Sequence, residues 1–220
     1  MIKKWLSFIV PITIFQKKSA WSNSLEITWN NGELVLDSKN TNYSYGSLQR
    51  ILRKGLKTIG YERILGMRHI LLLGVAGGSV IKTLIDEVHY KNRITGVDID
   101  PVIIEIANQF FKLNEIENLE IIIDDAFEFV LKTKEKYDMI IIDIFQDTTM
   151  PNFLFESFFI KRIGFLLNQN GVILFNTMLL DDKDNERNKK YTQKLDKLKF
   201  KTTIIPRVEQ HNELIIIENN

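Results

Sequence analysis

The chain contains no cysteine and only three histidines in 220 residues. Without thiols there is neither a disulfide framework nor a thiolate metal site. His69, His89 and His211 are too scattered to form a zinc site, so no metal is expected. The lack of cysteine fits a reducing compartment, and a cytoplasmic location is the expectation. An excess of either charge is also missing: 29 basic and 28 acidic residues leave +1. No global field recruits nucleic acid or an anionic membrane, and neither is expected as a partner. The apolar run from Trp5 to Phe15 is broken by Pro11 and falls short of the ~20 residues that span a bilayer. Lys3-Lys4 ahead of it gives the charge order of a signal peptide. The run ends, however, in Gln16-Lys17-Lys18, with only Ser19-Ala20 to suggest a cleavage site. The simpler expectation is an N-terminal strand packed on the body or on a partner subunit.

What is present is an average globular composition, 45% hydrophobic and 26% charged, with four prolines and no internal repeat. Up to Ser44 the chain alternates like strands. Leu25 to Trp29 and Glu33 to Asp37 are period-2 runs flanking Asn30-Asn31-Gly32, which predicts a small β-hairpin in an N-terminal extension, residues 1–44. From Tyr45 the spacing turns helical, with Leu48, Ile51, Leu52, Leu56 and Ile59 on one face and Gly60 as a stop. After residue 68, short buried strands alternate with helical segments, as in a mostly parallel sheet. The strands are His69–Leu73, Ile94–Val97, Leu119–Ile123, Met139–Ile142, Val172–Asn176, Thr202–Pro206 and Glu213–Glu218, with helices starting near Gly78, Pro101, Ala126, Phe153 and Asp184. The five residues between Pro206 and Asn212 are too few for a crossover and demand an antiparallel hairpin. The expected fold is α/β and Rossmann-like: a doubly wound, seven-stranded, mostly parallel sheet with an antiparallel C-terminal hairpin. It makes residues 45–220 a nucleoside-binding domain of the class I methyltransferase type.

Ligands of such sheets sit beyond the carboxyl ends of the strands. After the first strand comes Gly74-Val-Ala76-Gly77-Gly78-Ser79, small enough for a sharp turn and close backbone approach. Ala76 and Ser79 break the G-x-G-x-x-G fingerprint, which disfavours a dinucleotide and a nicotinamide-dependent dehydrogenase. The second strand ends in Val97-Asp98-Ile99-Asp100-Pro101. Asp98 is placed to accept from both ribose hydroxyls, whereas Asp100 before proline is a helix N-cap. The third ends in Asp124-Asp125-Ala126. There Asp125 can accept from an adenine amine while the Ala126 N–H meets a ring nitrogen, and either acid can also cap the helix. The ordered triple of glycine loop, acid and acid points to an adenosyl ligand held by Gly74, Ala76, Gly77, Gly78, Asp98, Ile99, Asp125 and Ala126. The fourth strand ends at Asp143, followed by a polar loop with Gln146, Asp147, Thr148 and Thr149 that should border the acceptor. Asp143 and Asp147 can bind a cationic amine or take its proton. Phe153, Phe155, Phe158 and Phe159 are expected in the core, and the lysines from Lys189 to Lys201 on a solvated helix face.

From Leu25 to Glu218 the sequence resembles the spermidine synthase (polyamine aminopropyltransferase) family. The carriers are the Gly32–Asp37 hairpin strand, Tyr45-Gly-Ser-Leu-Gln49, the Gly74–Ser79 loop, Val97–Pro101, Asp124–Ala126 and Tyr137–Asp143. The resemblance implies decarboxylated S-adenosylmethionine as co-substrate, aminopropyl transfer to putrescine, and a homodimer built with the N-terminal hairpin. It also places Asp98 on the ribose, Asp125 and Ala126 on adenine, and Tyr45 in the active site. Three departures stand out. The family's glycine loop resembles G-G-G-D-G-G, while Gly74–Ser79 carries no acid. Gln146 stands where the family has its catalytic Asp, with Asp147 one place late. Gly46-Ser47 replaces a His-Glu pair after Tyr45.

Gln cannot accept the proton that an ammonium must lose before it attacks. Aminopropyl transfer therefore needs Asp147 or Asp143 in that role. Methyl transfer from S-adenosylmethionine to a small-molecule acceptor, an amine among the candidates, tolerates the missing acids best because it relies mainly on proximity and orientation. The open readings are thus methyl transfer, slightly favoured; polyamine biosynthesis; and a non-catalytic nucleoside-binding or scaffold protein.

Overall fold

A computed structural model describes residues 2–37, 42–146 and 149–218. Its main sheet contains β5 (His69–Leu73), β6 (Arg93–Asp98), β7 (Leu119–Ile123), β8 (Tyr137–Ile142), β9 (Leu167–Met178), β10 (Lys201–Val208) and β11 (Asn212–Glu218), in the order β10-β11-β9-β8-β5-β6-β7. The pairs β5–β6, β6–β7, β5–β8 and β8–β9 are parallel, and β11 runs antiparallel between β9 and β10. All seven expected strands are present. β9 is longer than its apolar centre suggested, since Leu167 pairs with Tyr137 across a register shift before Val172 meets Met139.

The strands are apolar on both faces because both are covered. Ile70, Leu72, Ile94, Met139, Ile141 and Leu174 pack on one side with α2 (Gly46–Ile59), α4 (Ser79–Lys82) and α5 (Pro101–Phe111). Leu71, Leu73, Val97, Ile140, Ile142 and Phe175 pack on the other with α6 (Ala126–Lys132), α7 (Ser157–Leu166) and α8 (Asp182–Lys197). Helix α4 continues directly into a π-helical turn, Thr83–Glu87. Helix α7 starts later than Phe153 because Pro151 and a 3-10 turn, Asn152–Phe155, precede it. Of that phenylalanine set, Phe155 and Phe159 are buried, whereas Phe158 is 58% exposed.

The N-terminal hairpin is the centre of a larger element. β1 (Ile12–Lys17), β2 (Leu25–Asn30), β3 (Glu33–Asp37) and β4 (Asn42–Ser44) form a four-stranded antiparallel sheet in that order. Leu25, Ile27 and Leu36 join the α2 side of the core, and Ile14 and Phe15 of β1 pack against it. Of the apolar run expected as an N-terminal strand, the part from Ile12 is a strand, whereas Trp5 and Leu6 lie in a helix. Before it, α1 (Ile2–Leu6) is anchored through Ser7, whose hydroxyl accepts from the Gly32 N–H at 3.0 Å. A short helix α3 (Tyr61–Leu65) links α2 to β5. Among the described residues no helix is long and apolar enough to cross a membrane.

Candidate functional site

Strand order reverses at β5, whose neighbours are β6 and β8, so the crevice of the fold opens beyond the carboxyl ends of β5 and β8. A cavity of about 520 Å³ lies there. Gly74, Ala76, Asp98, Ile99, Asp125 and Ala126 line one part, as the sequence suggested, and Asp143 and Gln146 another.

Gly74 adopts φ +90°, and a Cβ there would sit 2.2 Å from the Asp143 carbonyl oxygen. A glycine is therefore required for β5 and β8 to leave the sheet side by side. Gly77 and Gly78 do not line the cavity. They allow close packing behind the loop, where an added Cβ would meet Ser44 at 2.8 Å and Leu113 at 2.6 Å respectively.

Asp98 accepts from the Val75, Ala76 and Asp100 N–H groups, each at 2.9 Å. Its carboxylate thus clamps the glycine loop to the end of β6. About one of its roughly four lone-pair positions is left for a ligand hydroxyl, rather than the two that bonding to both ribose hydroxyls requires. Burial pushes this carboxyl above its ordinary range and the three amide donors oppose the shift. Asp98→Ala should unfold more easily by about 3 kcal/mol, through loss of charge-assisted bonds and three stranded N–H groups. The loss should appear in a denaturant titration together with a tenfold or greater fall in nucleoside affinity.

Asp100 caps α5, accepting from Val102 N–H at 2.9 Å, with Pro101 next as the sequence predicted. It also accepts from the Ser19 hydroxyl at 2.5 Å, which ties the β1–β2 connection to the rim. Asp125 caps α6 through the Phe127 N–H at 2.7 Å and still faces the cavity. Tyr45 is not brought to the cavity. With φ 70°, its side chain turns onto the end of α5, where its ring stacks on Phe111 at 4.3 Å between centroids. Burial and nearby Asp86 hold the phenol protonated.

Asp143 accepts from the Asn176 side-chain amide at 2.9 Å, and Asn176 in turn accepts from Asn212 at 3.0 Å. Burial pushes Asp143 up to about 6, only partly offset by Asn176. Gln146 pairs with Thr149 through two backbone hydrogen bonds of 2.9 Å, closing a tight loop. Asp147 and Thr148 lie outside the described residues.

Sequence reasoning missed the walls contributed from a distance. Trp21 and Ser22 come from the β1–β2 connection, Ser47 from α2, and Glu209, His211 and Asn212 from the tip of the C-terminal hairpin. Arg50 holds Glu209 by two bonds of 3.0 and 2.8 Å, fixing that tip to α2. The signal for the tip was present: an antiparallel β11 returning beside β9 must turn at the carboxyl end of the sheet.

The spermine/spermidine synthase domain matches residues 51–219. The chain belongs to that family. A polyamine aminopropyltransferase of Vibrio vulnificus is 32% identical over 111 residues, covering 49% of this chain and 37% of that protein. The mouse eEF1A lysine and N-terminal methyltransferase is 27% identical over 123 residues, covering 51% of this chain and 17% of that one. The chain thus spans well under half of these two relatives. In structure it is similar to a spermidine synthase solved with the transition-state analogue AdoDATO, with TM-score 0.68, 17% identity, and coverage of 95% of this chain and 73% of that one. It is also similar to human methyltransferase-like protein 13 solved with SAH, with TM-score 0.66, 21% identity, and coverage of 80% and 83%. The chain's relatives in sequence divide between aminopropyltransferases and methyltransferases. Gln146 lies on the cavity wall, and the loop from Gly74 to Ser79 carries no acid.

Proposed function

We propose that the chain transfers a methyl group from S-adenosylmethionine to an amine-bearing acceptor. The observation that carries this reading is the state of the cavity carboxylates. Asp98 is engaged by three backbone amides, Asp100 and Asp125 cap helices, and Glu209 is paired with Arg50. Among the described residues, Asp143 is the carboxylate on this cavity held by neither a cation nor a backbone N–H. Decarboxylated S-adenosylmethionine brings two positive charges and a diamine acceptor two more. Of the five carboxylates on the cavity, Asp143 is, among the described residues, the one left to pair directly with them, which makes their burial costly. S-adenosylmethionine carries one net positive charge, because its own carboxylate offsets its ammonium. The cavity volume is in the range that holds ligands of this size.

In this reading the acceptor nitrogen's lone pair attacks the sulfonium methyl carbon. The carbon–sulfur bond breaks, its electrons stay on sulfur, and S-adenosylhomocysteine leaves. Asp143 takes the proton the amine must lose. A carboxyl raised to about 6 narrows the gap to an alkylammonium by about two units, or ~3 kcal/mol of transfer cost, relative to an ordinary Asp. The names of the methyltransferase relatives, which act on lysine and N-terminal amines, agree with an amine acceptor.

Aminopropyl transfer is the second reading, favoured by the 32% identity to the Vibrio aminopropyltransferase. It requires Asp147 or Asp143 to replace the acid absent at Gln146. The products separate the two. S-adenosylhomocysteine formed from S-adenosylmethionine and an amine supports methyl transfer. Methylthioadenosine formed from the decarboxylated co-substrate and putrescine, with no S-adenosylhomocysteine from the other pair, would replace it.

A further inference from the structure

Helix α8 presents Lys183, Arg187, Lys190 and Lys194 at i, i+4, i+7 and i+11, which is one face of a helix. They line a second concavity, of about 260 Å³, together with Glu186, Phe155 and Tyr191. Of its acidic neighbours, Glu186 pairs with Lys190 at 2.8 Å and Asp184 with Arg187 at 2.5 Å, while Asp181 and Glu213, which bind the α8 N-terminus and Asn188, also lie near Arg187. Arg187 is held in place by the Met178 carbonyl and lies over the Phe155 ring, 4.4 Å from its centroid. Lys194 donates to the Phe155 carbonyl at 2.9 Å. No ion pair or hydrogen bond involves Lys183 among the described residues, and Tyr191 has a buried hydroxyl without a partner. The lining therefore keeps a surplus of positive charge over an aromatic floor in a protein whose net charge is only +1.

The groove adjoins the acceptor side of the main cavity. Met178, whose carbonyl fixes Arg187, lines that cavity, and Phe153 of the cavity and Phe155 of the groove belong to the same 3-10 turn. The four cations extend along about 16 Å of helix, the length of roughly five residues of extended chain. A single phosphate needs charges converging on one point, whereas a line of them matches several anions in a row.

We propose that the groove along α8 docks an acidic segment of a polypeptide whose amine enters the main cavity. The inference rests on the methyl-transfer reading for the fate of that amine, and it replaces the small-molecule acceptor expected from sequence with a protein or peptide. The test uses the intact protein and a fluorescein-labelled hexaglutamate peptide followed by anisotropy, with S-adenosylmethionine affinity measured in parallel by calorimetry. Wild type is expected to bind the peptide, with affinity falling as salt is raised. Lys183→Glu with Lys190→Glu should weaken peptide binding at least tenfold and leave S-adenosylmethionine affinity unchanged. Lys183→Gln with Lys190→Gln should give a smaller loss in the same direction. Absence of peptide binding by wild type, or equal binding by the variants, overturns the proposal. So does tighter binding of a single-stranded oligonucleotide of equal charge through the same lysines. Peptide binding without S-adenosylmethionine binding leaves the groove standing and removes the methyl-transfer reading, so the two failures are distinguishable.

Discussion

Asp143→Asn is expected to lose at least about a hundredfold in transfer rate while becoming more stable than wild type at neutral and alkaline pH. Both effects have one cause. The folded protein holds this carboxyl at about 6, against 3.8 for an ordinary Asp, so the native state binds its proton more tightly than the unfolded chain does. Below about pH 4 the group is protonated in both states and the fold carries no penalty. As pH rises from 4 through 6, the unfolded chain ionises first and wild type loses stability relative to the variant. The two-unit shift corresponds to about 3 kcal/mol above pH 6, an upper figure for a group that a ligand cation would neutralise. Asn keeps the oxygen that accepts from Asn176 and has no charge to desolvate. For a chain of this size the gain is about 6–12 °C in midpoint at pH 8, shrinking to about 1–2 °C at pH 4. Thermal melts of both proteins at pH 4, 6 and 8 check the sign. A variant less stable than wild type at pH 8 would mean that Asp143 is held ionised by a partner and is not the uncommitted carboxylate of the site.

Gly74→Ala is expected to be the most damaging single-methyl change in the loop. At φ +90° alanine pays a backbone cost of about 1–2 kcal/mol, and its methyl would stand 2.2 Å from the Asp143 carbonyl oxygen. That oxygen belongs to the backbone at the end of β8, whose N–H is bonded to Leu73 at 2.9 Å, so relief requires the two central strands to part. Together these amount to about 3–5 kcal/mol, within the range of severe core overpacking added to strain. The loss should appear as a fall in denaturation midpoint with an equal fall in nucleoside affinity. Gly60 is the control. It also has positive φ, at +99°, but nothing lies within 4 Å of its added Cβ, so Gly60→Ala should cost only the conformational part.

The strands were legible because a parallel sheet writes itself as buried apolar runs separated by helix-length segments, and the Asp100-Pro101 pair announced its cap. β1 was obscured because Ile12–Lys17 continues the apolar run from Trp5, and β4 because three residues carry no period. The adenosyl side of the site was legible as a set, since position after a strand is enough to place Ala76, Ile99, Asp125 and Ala126 on one rim. What each acid does was less so. The three amides that engage Asp98 are backbone groups, whose direction depends on the turn at Val75 and Ala76 and leaves no mark on residue type. Tyr45 failed for a related reason: its position in a motif was visible, but φ 70° was not. The hairpin-tip and Trp21 walls depend on contacts between distant parts of the chain, such as Arg50 with Glu209 and Ser19 with Asp100.

The central claim is that the cavity holds S-adenosylmethionine in preference to its decarboxylated form, because among the described residues Asp143 is the cavity carboxylate left to pair with a ligand cation. It is tested most directly by calorimetric titration of the purified protein with S-adenosylmethionine and, separately, with its decarboxylated form. The account predicts tighter binding of S-adenosylmethionine, by at least tenfold, and Asp98→Ala weakening both. Tighter binding of the decarboxylated form would contradict it and return the chain to aminopropyl transfer, with Asp147 as the residue to examine.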